Sequence, residues 1–177
     1  MSKVLAIDTS TSRSCVAIID GAKVLYSGFR DGATAHGPSL PALVQEALSV
    51  SDVDEVVVGM GPGPFTGLRV GIAFAQSFAL AREIPVRGVC SLDAIAAQVT
   101  DKDFIITVDA RRKEVYWARY TNGVRIGEPA VNFPADVTGA AIHADLFPDM
   151  VALVNLPGTI TEPIYLRRPD AVATVDR

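Results

Sequence analysis

"VLAIDTSTSRSCVAIIDG", residues 4–21, contains the residue pattern of a complete strand–turn–strand unit. Its first apolar run, Val4–Ile7, ends in an aspartate, and a polar turn follows. Its second apolar run, Cys15–Ile19, ends in the turn signal Asp20-Gly21. Short apolar runs bounded by turn residues predict β-strands. The stretch therefore predicts a β-hairpin, with Lys23–Phe29 as a third strand.

The same unit recurs in the second half of the chain. Ile105–Val108 ends in Asp109, a charged turn follows, and Val115–Tyr120 runs into an Asn-Gly turn. Asp109 thus stands where Asp8 stands, at the end of a first strand. One match carries little weight because aspartate is common at turns, but two matched units predict two lobes of common design. We expect the lobes at residues 1–100 and 101–177, joined near residues 99–103, with the second lobe smaller.

Between and after the hairpins, helical and strand periodicities alternate. Apolar residues recur at helical spacing in some segments, and short β-branched runs separate these segments. This order predicts an α/β fold in which helices flank mixed sheets. The expected elements are a helix at Leu40–Leu48, a strand at Glu55–Val58, a helix at Thr66–Arg82, a strand at Val86–Cys90, a helix from an N-cap at Ser91 to Val99 and a weak helical pattern at Asp136–Leu146, whereas Val151–Thr161 has little helical pattern.

Composition and charge narrow the function classes. The 177 residues carry 16 basic and 20 acidic side chains, and this net charge of −4 argues against tight nucleic-acid binding by the chain alone. Hydrophobic residues make up 49% of the chain, yet no apolar run is long enough for a membrane span or a signal peptide. We therefore expect a cytoplasmic protein with a dense core or a partner-covered surface. Cys15 and Cys90 form no CxxC motif and predict free buried thiols, and His36 and His143 have no zinc-ligand spacing.

A second unusual stretch, "GMGPGPFTGLRVGIAFAQ" at residues 59–76, poses the question of a phosphate cradle or a structural joint. A Walker A loop requires Lys-Ser/Thr after its last glycine, but Leu68-Arg69 follows Gly67 here. A dinucleotide fingerprint is one residue shorter than the spacing from Gly61 to Gly67. Pro62 and Pro64 also remove two amide donors. The loop is therefore better suited to setting the entry angle of a helix than to holding phosphate.

Two lobes that each open with an Asp-ended hairpin point to the actin-like, ribonuclease-H-like architecture. In its active members the two hairpins close on a nucleotide phosphate and a metal, and their loops read Asp-x-Gly because a bare backbone approaches phosphate closely. Ser10 and Arg111 occupy the glycine positions here. We therefore expect vestigial phosphate loops without catalytic residues or metal ligands, formed by Asp8, Thr9, Ser10, Asp109 and Arg111.

Five segments, "VLAIDTSTSRSCVAIID", "GMGPGPFTGLRVGIAFAQSFAL", "GVCSLDAIA", "VDARRKEVYWARY" and "EPIYLR", resemble the motifs of the TsaB family. The family provides the bacterial partner subunit of the tRNA threonylcarbamoyladenosine synthase. The resemblance implies a non-catalytic actin-like protein that dimerises with the catalytic subunit TsaD and helps to recruit the ATPase TsaE. The complex modifies the adenosine beside the anticodon in tRNAs that read codons beginning with A. Typical members carry more chain between the second hairpin and the Glu-Pro-x-Tyr-Leu-Arg motif than this sequence does.

The resemblance extends to partners and ligands. It implies contact with tRNA only through the complex. An apolar helix face left uncovered without the partner predicts a homodimer in isolation, and the absence of a long apolar run predicts no membrane association. Ser10 and Arg111 at the glycine positions predict no intrinsic cofactor, and ATP or ADP with magnesium remains possible at the boundary shared with the partner.

The helix after the glycine-rich loop admits two interpretations. Small residues recur at every fourth position, and the helix is apolar nearly all round. It is either an internal helix or a helix shared between the sheet and a partner's helices, and with the resemblance we favour the second. The expected partner interface comprises Leu43, Ala47, Phe65, Thr66, Leu68, Arg69, Gly71, Ile72, Ala75, Phe78 and Ala79.

An enzyme remains the alternative function. Asp8 and Asp109 could serve a small-molecule kinase, an ATPase or a nuclease, although a nuclease needs three or four convergent carboxylates. Asp20, Asp93 and Glu114 are available for that purpose, but each also fits a turn, helix-start or surface role. The basic residues Arg111–Lys113 and Arg167-Arg168 fit tRNA phosphates or, more simply, solvated turns.

Overall fold

The computed structural model describes residues 2–32 and 34–167 and contains two β-sheets. In the first sheet, two antiparallel hairpin connections join the first three strands, and two further strands pair in parallel beside the first. The strand order is β3-β2-β1-β4-β5. The strands are β1 (Lys3–Asp8), β2 (Arg13–Asp20), β3 (Lys23–Asp31), β4 (Glu55–Gly59) and β5 (Val86–Val89).

The second sheet repeats the topology of the first. Its order is β8-β7-β6-β9, with β6 antiparallel to β7 and parallel to β9, as β1 is to β2 and β4. The predicted first strands Val4–Ile7 and Ile105–Val108 therefore occupy equivalent places, and the prediction of an α/β actin-like fold with mixed sheets flanked by helices is confirmed. The strands are β6 (Asp103–Asp109), β7 (Val115–Thr121), β8 (Val124–Asn132) and β9 (Ala141–His143).

Helices cover both faces of the first sheet. Helices α1 (His36–Val50) and α2 (Phe65–Arg82) pack on one face, where their apolar sides join the main core. The short helix α4 (Met150–Asn155) packs on the opposite face through Leu153. Helix α3 (Ser91–Ala96) lies between the sheets, because Leu92 and Ile95 join the second sheet's core. None of the helices among residues 2–32 and 34–167 is long and apolar enough to cross a membrane.

Three local predictions need correction. Ser91 is not an N-cap: α3 begins at Ser91, and its hydroxyl donates to a carboxylate of the first lobe. The weak helical pattern at Asp136–Leu146 contains strand β9, since the backbone of residues 141–143 pairs with β6. A helix forms instead at the start of Val151–Thr161, where the side chain of Asp149 accepts a hydrogen bond from the amide of Ala152 at 2.7 Å and caps α4.

The chain returns to the first lobe after β9. Leu153 is buried in the core of the first sheet, Ile160 forms a bridge with Gly88, and the amide of Ile164 donates to the carbonyl of Met60 at 2.8 Å. Residues 150–165, which the sequence suggested for the second lobe, therefore brace the first. Of the expected second lobe, residues 168–177 lie outside the described residues.

Candidate functional site

The carboxylate of Asp8 is sealed inside the protein at the end of β1. Its side chain is 0% exposed. Oδ1 accepts hydrogen bonds from the amide and the hydroxyl of Ser10 at 2.8 and 2.7 Å, and Oδ2 accepts one from the hydroxyl of Ser91 at 2.6 Å. The Ser91 hydroxyl in turn accepts from the amide of Gly61 at 3.2 Å. Groups of the chain itself therefore satisfy both oxygens of the Asp8 carboxylate.

Burial raises the pKa of the Asp8 carboxyl, while the hydrogen bonds from Ser91 and Ser10 act in the opposite direction. Ser91 lies 83 positions from Asp8 in the chain, and no local pattern in the sequence indicates their contact. Ser91 is thus the functional-site residue that sequence reasoning missed.

At two positions of the glycine-rich stretch, the loop that follows β1 approaches so closely that only glycine fits. A Cβ atom at Gly63 would overlap the carbonyl oxygen of Ser10, and one at Gly71 would overlap the hydroxyl of Thr9. No phosphate is needed to explain these residues, because the protein's own backbone and side chains fill the space. The geometry favours the joint over the phosphate cradle.

The hydroxyl of Thr9 fixes the first turns of α2. It donates to the carbonyl of Gly67 at 2.7 Å and accepts from the amide of Gly71 at 3.1 Å. These two backbone groups are the pair that an α-helix ordinarily joins directly. The side chain therefore bridges one step of the helical ladder and locks α2 against the loop after β1.

The second predicted phosphate loop differs from the first because it is open to solvent. Asp109 is exposed, and its Oδ1 accepts a hydrogen bond from the amide of Arg111 at 2.8 Å. Arg111, Arg112 and Lys113 all adopt left-handed backbone angles, with φ of 60°, 54° and 64°. Such conformations are costly for residues other than glycine. Side chains rather than bare backbone thus line this turn.

The structure does not bring Asp8 and Asp109 to one surface. A cavity of about 100 Å³ between the lobes is lined by Asp109, Arg111 and Thr11, whereas Asp8 lies behind the loop. Within residues 2–32 and 34–167, no three His, Cys, Asp or Glu side chains are grouped so that they could hold a metal ion. Asp8 and Asp109 therefore do not line one common site in the described conformation.

Seven residues of the predicted partner interface are buried within the chain, so they offer no surface to a partner in this structure. The small-residue stripe of α2 and the facing residues of α1 pack into the main core against the first sheet, so the internal-helix interpretation holds for this side. Ala75, at its centre, is 0% exposed. The small side chains let α2 approach its own sheet and the loop after β1. The seven residues are Leu43, Ala47, Leu68, Gly71, Ile72, Ala75 and Ala79.

The opposite side of α2 is open. We call it the outer face of α2 and define it by Thr66, Arg69, Val70, Ala73, Phe74, Ser77 and Leu80, which are exposed or partly exposed. Leu80 is 82% exposed. Phe65, Thr66, Arg69 and Phe78 of the predicted interface remain accessible, and their role in binding a partner stays a prediction.

The segment that contains the Glu-Pro-Ile-Tyr-Leu-Arg motif connects this face to the second lobe. The ring of Tyr165 lies 5.0 Å from that of Phe65, which also contacts the guanidinium of Arg69 at 5.1 Å. Arg167 donates to the carbonyl of Ala110 at 2.9 Å and pairs with Glu114. Arg167 is thus engaged within the chain, whereas Arg168 lies outside the described residues.

The described thiols match expectation. Cys15 and Cys90 are both buried and free. Burial raises the pKa of each thiol to about 12, so neither is a ready nucleophile.

Residues 32–161 match the family model described as TsaD: tRNA N6-adenosine threonylcarbamoyltransferase. The chain is 45% identical over 201 residues to an uncharacterized protein of Mycobacterium tuberculosis, with 97% of this chain and 94% of that relative covered. It is 36% identical over 138 residues to the tRNA threonylcarbamoyladenosine biosynthesis protein TsaB of Escherichia coli. That alignment covers 71% of this chain and 59% of the Escherichia coli protein, so the chain spans only part of this relative's length.

Two solved structures from Pseudomonas aeruginosa share the fold. An uncharacterized protein with similarity to peptidase YeaZ superposes with a TM-score of 0.78 at 26% identity, over 94% of this chain and 100% of that chain. YeaZ itself superposes with a TM-score of 0.73 at 28% identity, over 87% and 89% of the two chains. At this coverage the similarity extends over both sheets.

Proposed function

The chain belongs to the TsaB family, and from this premise we propose that it acts in threonylcarbamoyladenosine biosynthesis as the non-catalytic partner of a TsaD-type subunit. In this proposal the pair recruits TsaE, and the assembly modifies tRNAs that read codons beginning with A. The chain contributes surface and stability to the assembly, and the reacting groups belong to its partner. It meets tRNA only as part of the assembly.

The sealed Asp8 carboxylate is the observation that carries the non-catalytic part of the proposal. All three of its short hydrogen bonds come from Ser10 and Ser91, and no part of it is exposed. A general base or metal ligand must reach its substrate or ion, and this carboxylate cannot do so while the loop is in place. The proposal therefore includes no intrinsic cofactor, and it is compatible with ATP or ADP and magnesium at the boundary with the partner.

The outer face of α2 supports the choice of partner surface. A helix in a monomer of this size needs one apolar side for its own sheet. On the other side of α2, Leu80 is 82% exposed, and Val70 and Phe74, which border the core, are partly exposed. Apolar residues at i, i+4 and i+10 on an exposed helix face are suited to packing against another helix. We propose that this face binds the TsaD-type subunit, and that two copies pair through it when that subunit is absent.

A matched pair of substitutions tests this surface. Ala73→Glu places a charge on the outer face of α2, while Ala135→Glu places the same charge on an exposed site of the second lobe. Because a carboxylate buried in an apolar interface lacks a partner, we expect at least about tenfold weaker binding to TsaD for Ala73→Glu. Sedimentation velocity with TsaD of the same organism, and with each variant alone, measures heterodimer and homodimer formation. If Ala73→Glu associates like wild type, both with TsaD and with its own copy, the interface lies elsewhere.

A further inference from the structure

The connection between β9 and α4 crosses the space between the lobes. We call residues 144–149 the strap. Asp145 adopts a left-handed backbone with φ of 58°. Along the strap, the first backbone–backbone hydrogen bond within the described part of the chain is donated by the Asp149 amide to the carbonyl of Ala94. Leu146 packs against the core of the second sheet and Pro148 is buried, whereas Phe147 is held by side chains of the first lobe.

The strap forms a wall shared by two cavities. Asp145, Leu146 and Phe147 line both a cavity of about 370 Å³ over β2 and β3 and the cavity of about 100 Å³ beside Asp109. Small-molecule sites generally occupy about 300–1,000 Å³. The inter-lobe cavity at Asp109 is therefore too small for a ligand of ordinary size as long as the strap separates it from its neighbour.

One arginine side chain connects the strap to the first sheet. The guanidinium of Arg13 lies between two rings, 3.9 Å from the centroid of Phe29 on β3 and 3.8 Å from that of Phe147 on the strap. Asp31 holds the guanidinium from the far side, at 2.8 Å from Nε. The side-chain amide of Gln98 adds a hydrogen bond to the carbonyl of Phe147 at 2.7 Å. A planar cation stacked on two aromatic faces is attracted to both.

We propose that the strap is a lid that keeps the cleft between the lobes closed, and that Arg13 is its latch. Release of Phe147 from Arg13 lets the strap swing away from the first sheet, which joins the two cavities into one cleft reaching from β3 to Asp109. The strap contains no residue of the outer face of α2, so this proposal does not rest on the partner surface proposed above.

Cys15 reports on the lid, because its thiol lies on the floor of the larger cavity and is only 6% exposed. Cys90 belongs to the core between α3 and the second sheet and reports on general opening instead. The experiment is maleimide labelling of the full chain at fixed pH, with each cysteine followed by peptide mass spectrometry. Arg13→Ala removes both ring contacts. Arg30→Ala on the neighbouring strand β3 removes an ion pair with Glu46 of α1 and is the matched control.

We expect Arg13→Ala to label about tenfold faster at Cys15, since two cation–π contacts are lost, with Cys90 unchanged and Arg30→Ala like wild type. Unchanged labelling of Cys15 overturns the proposal. If both cysteines accelerate together, hydrogen exchange of the wild-type chain decides the matter. The lid requires the amide of Asp149, which donates to the carbonyl of Ala94, to exchange through an opening that leaves β1 protected, and exchange of this amide only together with β1 overturns the proposal.

Discussion

The substitution Ala75→Glu separates the two interpretations of α2 most sharply, because Ala75 is 0% exposed while Ala73, two residues earlier, faces solvent. A glutamate at position 75 must lodge in the core between α2 and the first sheet. If Ala75 lay in a partner interface, the isolated chain would fold normally with this change. The structure predicts that it will not.

The magnitude follows from two costs. A buried carboxylate avoids charge by protonation, and at pH 7 protonating a group with an ordinary pKa of about 4.3 costs about 3.7 kcal/mol. Forcing extra atoms into a packed core adds about 1–3 kcal/mol. The total of about 5–7 kcal/mol is comparable to the whole stability of many domains, about 5–15 kcal/mol. Since protonation at pH 5 costs only about 1 kcal/mol, the loss in the free energy of unfolding should be much smaller at pH 5 than at pH 7.

Urea denaturation followed by circular dichroism at pH 7 and pH 5 measures this effect, with Ala73→Glu as the control on the same helix. We expect Ala75→Glu to be unfolded or close to it at pH 7 and partly restored at pH 5, while Ala73→Glu unfolds like wild type. A stable Ala75→Glu chain with a wild-type denaturation midpoint would refute the placement of this side of α2 against the sheet.

Two further predictions concern the same region. Thr9→Val removes the hydroxyl that bridges Gly67 and Gly71, so we expect a loss of about 1–3 kcal/mol in the free energy of unfolding. Thr138→Val, at an exposed position, is the control and should leave this free energy unchanged. Equal stability of both variants in urea would contradict the bridge. His36 lies 2.8 Å from the Ser14 hydroxyl, and burial lowers its pKa, so the unfolded chain binds a proton more readily than the folded chain. Neutral His36 therefore contributes to the free energy of unfolding above about pH 6.5, and this contribution is lost as the pH falls below that value. The difference in unfolding free energy between wild type and His36→Gln should therefore shrink from pH 7.5 to pH 5, roughly the window in which histidine titrates, and a constant difference would speak against this assignment.

Local pattern was sufficient to predict much of the architecture. The two Asp-ended hairpins are defined by short apolar runs and turn residues, and both appear as predicted, as β1–β2 and β6–β7. Their shared topology extends to the parallel neighbours β4 and β9. By contrast, β9 is only three residues long and is specified by pairing with β6, and no periodicity can be read from so short a segment.

The outward side of α2 could not be predicted for a different reason. Apolar residues surround the helix, so its hydrophobic pattern does not specify which side faces the sheet. The small-residue stripe from Gly67 to Ala79 resembled a partner surface. In the structure its small side chains instead allow α2 to pack closely against Thr9 and the first sheet. The contact of Ser91 with Asp8 escaped prediction because it joins segments far apart in the chain.

Reconstitution of tRNA threonylcarbamoyladenosine formation tests the central claim most directly, with the chain, TsaD and TsaE of one organism added together and singly. We expect product only when the chain and TsaD are both present, and no ATP hydrolysis by the chain alone. ATP hydrolysis by the isolated chain that is abolished by Asp8→Ala would refute the proposed non-catalytic role, because it would require the sealed carboxylate to act on a substrate.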